Sequence, residues 1–191
     1  FDVRFEPTKM ESQKYVINAN TDEYIGIVGN GFNCEPHGKF FRRVIDATTQ
    51  KLSMYDMLDA EISWRDAHHN GWAMMDMRLP NVNAKIITDK HETTVAQRII
   101  ALHGVNGTCS NVTIFGAIDF FCLNGQIHGR HDKVMRKNTS NFNLDAFIIE
   151  LEKSQQDFTA QTEQMQRWAN TSLVTVDVKA LLEKIMQSDR K

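Results

Sequence analysis

Residues 112–137, VTIFGAIDFFCLNGQIHGRHDKVMRK, set two opposite kinds of segment back to back. Val112–Leu123 is apolar on both sides of a two-residue repeat, which is too apolar for a lone edge strand. Ser110–Leu123 is therefore expected to be a central strand of a sheet. Gly125–Lys137 follows directly and crowds Arg130, Lys133, Arg136 and Lys137 together with His128 and His131, against Asp132 alone of opposite sign. A basic segment displayed between two ordered elements suits a phosphate backbone as ligand. The plain alternative is a solvated connection whose charges serve solubility.

Working outward, Tyr15–Ala19 and Tyr24–Val28 are β-prone runs separated by the polar break Asn20-Thr21-Asp22-Glu23, a hairpin pattern. Gly29-Asn30-Gly31 supplies a turn. Lys39–Leu52 then places Phe40, Phe41, Val44, Ile45 and Ala47 on one helical face, with Arg42, Arg43 and Asp46 largely elsewhere. Ala60–Gly104 alternates like strands, with Asp66–Asn70 as a hairpin end and Asn81-Val82-Asn83 as a further break. Asn106-Gly107 is a strong turn signal. Beyond the basic strip, Asn138-Thr139-Ser140-Asn141 offers helix caps. Leu144, Phe147, Ile148 and Leu151 then form an apolar stripe that Phe158, Met165 and Trp168 prolong, which places Trp168 in the core. Val178–Met186 has helical spacing again. Strands first and helices last indicate the α+β class: an antiparallel sheet, a helix after the first hairpin, and a helical C-terminal segment packed on one side. The expectation is a single α+β domain over residues 1–191, with 143–191 as its helical part.

The totals restrict function. The formal net charge of the 191 residues is −2, so no global field drives binding to nucleic acid or membrane, and affinity of that kind has to come from local patches. Three widely spaced cysteines, Cys34, Cys109 and Cys122, contain no CxxC pair and point to reduced thiols, with Cys122 a small core residue. No apolar run approaches a membrane span and the first residues lack a basic-then-apolar signal, so a soluble intracellular protein without a membrane partner is expected. The numbered chain starts at Phe1 without an initiator methionine, as a processed or truncated product would.

Motifs of the common enzyme classes are absent: no P-loop, no dinucleotide fingerprint, no nucleophile elbow. Gly26, Gly29 and Gly31 have the wrong order for a pyrophosphate cradle and read as a turn. His68, His69, His128 and His131 could converge with Asp66 or Asp132 on a cation, but Arg130, Lys133 and Arg136 would repel it. No metal, cofactor or catalytic residue is therefore assigned. Trp64 and Trp72 lie in strands that also carry Arg65 and Arg78, and an exposed indole can stack on a base. Lys39, Arg42 and Arg43 form a second basic group, which matters if its helix borders the same groove as the strip.

Several phrases, in order, carry a resemblance: FDVRFEP at the start, YVINANTDEYIGIVGNGF followed by FFRRVID, and FGAIDFFCLNGQIHG leading to KVMRKNTSNF. Together they span most of residues 1–151, and the chain resembles the phage- and plasmid-associated family known as domain of unknown function 932. The resemblance implies a mobile-element origin, a bacterial cytoplasm and further residues upstream of Phe1. It supplies no catalytic residues. By element order and charge placement alone, the chain is also similar to phage single-strand annealing proteins, which use a sheet, a helix and a basic groove, commonly in rings.

The function expected from these features is non-enzymatic binding of nucleic acid, single-stranded DNA above all, in replication or recombination. Arg130, Lys133, Arg136 and Lys137 would contact phosphates, with His128, His131, Arg42 and Arg43 assisting and Trp64 stacking on bases. A modest patch gains avidity from repetition, so a homo-oligomer is expected. The alternatives are an interaction factor using an adaptable surface at Met74, Met75 and Met77, and a metal-dependent nuclease built on His68 and His69.

Overall fold

A computed structural model describes residues 1–50, 52–67, 69–119, 127–139, 141, 143–154, 158–171, 180 and 183. Eight strands and three helices are defined among them, in the order β1 (Val3–Pro7), β2 (Gln13–Asn18), β3 (Tyr24–Gly29), α1 (His37–Thr49), β4 (Glu61–Ala67), β5 (Trp72–Ile87), β6 (Glu92–Gly104), β7 (Asn111–Asp119), β8 (Ile127–Arg136), α2 (Leu144–Ser154) and α3 (Phe158–Ala169). The α+β class holds, with one refinement. The strands form two antiparallel sheets, β1-β2-β3 and β4-β5-β6-β7-β8, and the first hairpin belongs to the smaller one.

The larger sheet is a meander, because each of its connections joins neighbouring antiparallel strands. Asn106-Gly107 makes the β6–β7 turn, and Gly107 adopts φ +80, a left-handed conformation that a side chain would strain. Asn81-Val82-Asn83 does not end a strand. The β5–β6 register shifts between Leu79 and Asn83, so the segment is an irregularity inside one long strand. Of the strand expected over Ser110–Leu123, Asn111–Asp119 forms β7, which is interior, between β6 and β8, and residues 120–123 lie outside the described residues. The basic strip that follows is itself a strand, β8, and not a connection.

Alternation decides what is buried. Met75 and Met77 on β5, Ile99 and Ala101 on β6, Phe115 on β7 and Val134 on β8 share one face, and Phe40, Phe41 and Val44 of α1 with Leu144, Phe147 and Ile148 of α2 close over it. Phe40, Phe115 and Phe147 are fully buried, each contributing about 1.5–3 kcal/mol of apolar transfer. The Met74–Met77 segment is thus mainly core: Met75 and Met77 are wholly buried and leave no methionine-rich surface there. On the opposite face Arg98 Nε and one terminal nitrogen each donate to Asp76, at 2.8 Å, and both side chains are buried. Burial alone would raise the Asp76 pKa, but the Arg98 bonds and charge outweigh it and hold the carboxyl below its usual range.

The C-terminal stripe is resolved into α2 and α3, which pack differently. α2 lies against α1 and β8, whereas α3 lies mainly against β5. Gln166 of α3 accepts from the Ile87 amide at 2.9 Å and donates to its carbonyl at 2.7 Å. Trp168, expected in the core, is 52% exposed, because α3 turns Gln161 and Thr162 inward instead. Val178–Met186 lies outside the described residues apart from Ala180 and Glu183, as does Cys122. Among the described residues no helix is long and apolar enough to cross a membrane.

Candidate nucleic-acid interface

β8 is an edge of the five-stranded sheet among the described strands, so one row of its backbone groups faces away from β7. Its register pairs His128 with Ala117, Asp132 with Phe115, Lys133 with Ile114 and Arg136 with Asn111, with an irregularity between Phe115 and Ala117. The chain therefore lays His128, Arg130, His131, Lys133 and Arg136 along one sheet margin. For His128, Arg130, His131 and Lys133 only the backbone is described. Arg136 and Lys137 are exposed.

The end of β8 is tied down by asparagines. Asn111 Nδ2 donates to Asn138 Oδ1 at 2.6 Å, and Asn138 Nδ2 donates to the Gly104 carbonyl. Asn138 is therefore a buried tether and not a helix cap. The cap is Asn143, whose Oδ1 accepts from the amides of Asp145 at 2.8 Å and Ala146 at 3.2 Å. Between this cap and the strand end lies a cleft of about 410 Å³, lined by Arg136, Lys137, Thr139, Asn141, Asn143 and Glu150 among others.

α2 also places carboxylates beside the expected cations. Arg136 pairs with Glu150 at 2.5 Å, and Arg43 of α1 pairs with Asp145. The two basic groups thus flank one helix, each held by a carboxylate on it. Both pairs are exposed, and exposed pairs contribute only about 0–1 kcal/mol. Arg42 is exposed and has no ion pair among the described residues, whereas Lys39 pairs with Glu35 at 2.7 Å.

Trp64 is not brought to the strip. It lies on β4, the other edge, four strand spacings or about 19 Å across the sheet. Trp64 is 64% exposed on the helix-covered face, where it lines a small cavity with Phe1, His37, Gly38, Phe41 and Asp66. Arg65, Arg78 and Trp72 belong to the opposite face. Glu150 and Asp145 were not foreseen, because their role depends on α2 docking beside β8.

His37 and His103 were missed as well. Their Nδ1 atoms lie 2.7 Å apart and His37 Nε2 lies 3.0 Å from the Asn70 carbonyl. His37 Nε2 must donate to that carbonyl, so His37 Nδ1 accepts and His103 Nδ1 donates. His103 Nε2 is buried with no hydrogen-bond partner among the described residues. Burial pushes both imidazoles below their ordinary range, His103 strongly. His69 sits in a turn with φ 52, His68 lies outside the described residues, and no group of three metal-ligating side chains occurs among the described residues. Cys34 is buried, which pushes its thiol up to about 12, and Cys109 is also free.

Residues 26–191 match the family described as domain of unknown function DUF932. The chain belongs to that family. Neither a curated protein nor a solved structure is similar enough to count as a match. The DUF932 match covers α1, the whole five-stranded sheet, α2 and α3, so strip, cleft and the capped helix all fall within the shared region.

Proposed function

We propose that this DUF932 chain binds nucleic acid, single-stranded DNA in preference, as a non-enzymatic, annealing-type factor in replication or recombination of a mobile element in a bacterial cytoplasm. The observation that supports the reading is the run of basic residues along an edge strand and just past its end, His128 to Lys137, which leads into a cleft beside the capped start of α2. An edge strand gives a polynucleotide backbone a straight margin to follow, with cations repeating along it. The carboxylates of Glu150 and Asp145 hold Arg136 and Arg43 in place until a phosphate, with more acceptor oxygens and more charge, replaces them. His128 and His131 assist. Trp64, on the far edge, contacts only a strand that crosses the sheet.

Fluorescence anisotropy with labelled single- and double-stranded oligonucleotides over a salt series tests this. Four phosphates neutralised on a single strand give a log–log salt slope of about −3. The double substitution Lys133→Glu with Arg136→Glu should abolish binding and leave the thermal melt nearly unchanged. Undiminished binding by that variant would remove the strip from the proposal.

A further inference from the structure

Among the described strands β4 is the other margin of the large sheet with no partner, and six of its seven residues are exposed. Ile62 and Trp64 are 45% and 64% exposed, and the turn leading into the strand adds Met54, Tyr55 and Leu58, exposed at 90%, 66% and 54%. Asn81 fixes that turn by donating to the carbonyls of Tyr55 and Leu58. An apolar strand edge with an unpaired row of backbone groups is a template for another strand.

The sequence of the edge names the strand that fits. Residues 61–65 read Glu-Ile-Ser-Trp-Arg. Run antiparallel to itself about Ser63, the segment sets Glu61 opposite Arg65, Ile62 opposite Trp64, and Ser63 opposite its own copy. Because side chains alternate, the two Glu–Arg pairs fall on one face and the two Ile–Trp pairs on the other, both favourable cross-strand combinations. The neighbouring two-fold registers lose this match: an axis through Trp64 opposes Ile62 to Asp66 and Ser63 to Arg65, and one through Ile62 opposes Glu61 to Ser63. Arg65 has no ion-pair partner among the described residues, and Glu61 reaches only Arg78, at 4.0 Å, so both charges are available. Self-pairing of β8 about Lys133 would instead set Lys133 against its own copy and Arg130 against Arg136.

We propose that a second copy of this chain docks on β4, strand against strand about a two-fold axis through Ser63, joining two five-stranded sheets into one. The interface is isologous, so it closes at a dimer. The two β8 strips then lie at opposite ends of the joined sheet. A bivalent grip on one polynucleotide follows from that placement and rests on the nucleic-acid reading, whereas the pairing itself does not.

Sedimentation equilibrium of the full chain over a concentration series, without nucleic acid, tests the pairing. The parent chain should dimerise. Glu61→Arg and Arg65→Glu, each at an exposed position, should each weaken the dimer about tenfold or more, because like charges then face each other, while circular dichroism melts stay unchanged. An equimolar mixture of the two variants should recover association, since one is cationic at both positions and the other anionic at both. The chain carrying both substitutions should dimerise like the parent. A parent chain that stays monomeric, single variants that associate as tightly as the parent, or a mixture that fails to recover would each overturn the proposal. None of these readouts changes if the strip on β8 binds no nucleic acid.

Discussion

Two histidines with nothing in their local sequence to mark them, one opening α1 and one near the end of β6, meet at 2.7 Å in the core. Phe40 stacks on His103 at 4.4 Å between ring centroids, so a charge on that imidazole would sit against an aromatic wall. Desolvation depresses both pKa values, and for His37 the bond to the Asn70 carbonyl and then the charge of Asp66 offset this only in part. A depressed histidine pKa means that the unfolded chain binds more protons below about pH 6.5 than the folded one does. Stability is therefore unaffected above that pH and is lost as pH falls through it. Thermal unfolding followed from pH 7.5 to pH 5 should show a falling Tm, and His103→Leu should flatten the fall. The same substitution should cost about 1–3 kcal/mol at neutral pH, because His37 Nδ1 loses its donor. An unaltered pH profile in the variant would assign the acid sensitivity to other groups.

Among the elements, the helix α1, the β2–β3 hairpin and the β6–β7 turn were legible because each is specified by neighbours in sequence. Periodicity fixes α1, a polar break fixes the hairpin, and Asn-Gly fixes the turn. The β5 irregularity was not legible, since Asn-Val-Asn carries the same turn signal whether a strand ends or only bulges. Nor was β8: cations and glycine depress strand propensity, and the strand exists because β7 offers it a partner. Gly104, where β6 leaves the sheet, shows how closely the turn packs. A methyl group there would meet the Cys109 carbonyl oxygen at 2.5 Å and Cys109 Cβ at 2.8 Å. Backbone cannot swing aside as a side chain tip can, so Gly104→Ala should destabilise by about 1–3 kcal/mol in urea unfolding. A neutral result would mean that the β6–β7 turn shifts more freely than its packing implies.

At the scale of the whole molecule, the proposed interface is a balance between cations and the carboxylates that α2 brings to them. Glu150→Gln removes the charge opposite Arg136 and keeps the shape of the side chain. If Arg136 meets phosphate, the variant should bind single-stranded DNA severalfold more tightly and with a steeper salt slope, as anisotropy would show. Unchanged affinity would place Arg136 outside the contact. By itself the sequence determined the α+β class, the interior place of β7 and the concentration of charge after it, because alternation, turn chemistry and composition are properties of adjacent residues. Only the tertiary structure decided that the strip is a sheet margin, that Glu150 and Asp145 face Arg136 and Arg43, that Trp64 stands at the opposite edge, and that His37 meets His103. Those relations join residues far apart in the chain, and they arise where the helices settle on the sheet, through contacts that no local pattern encodes.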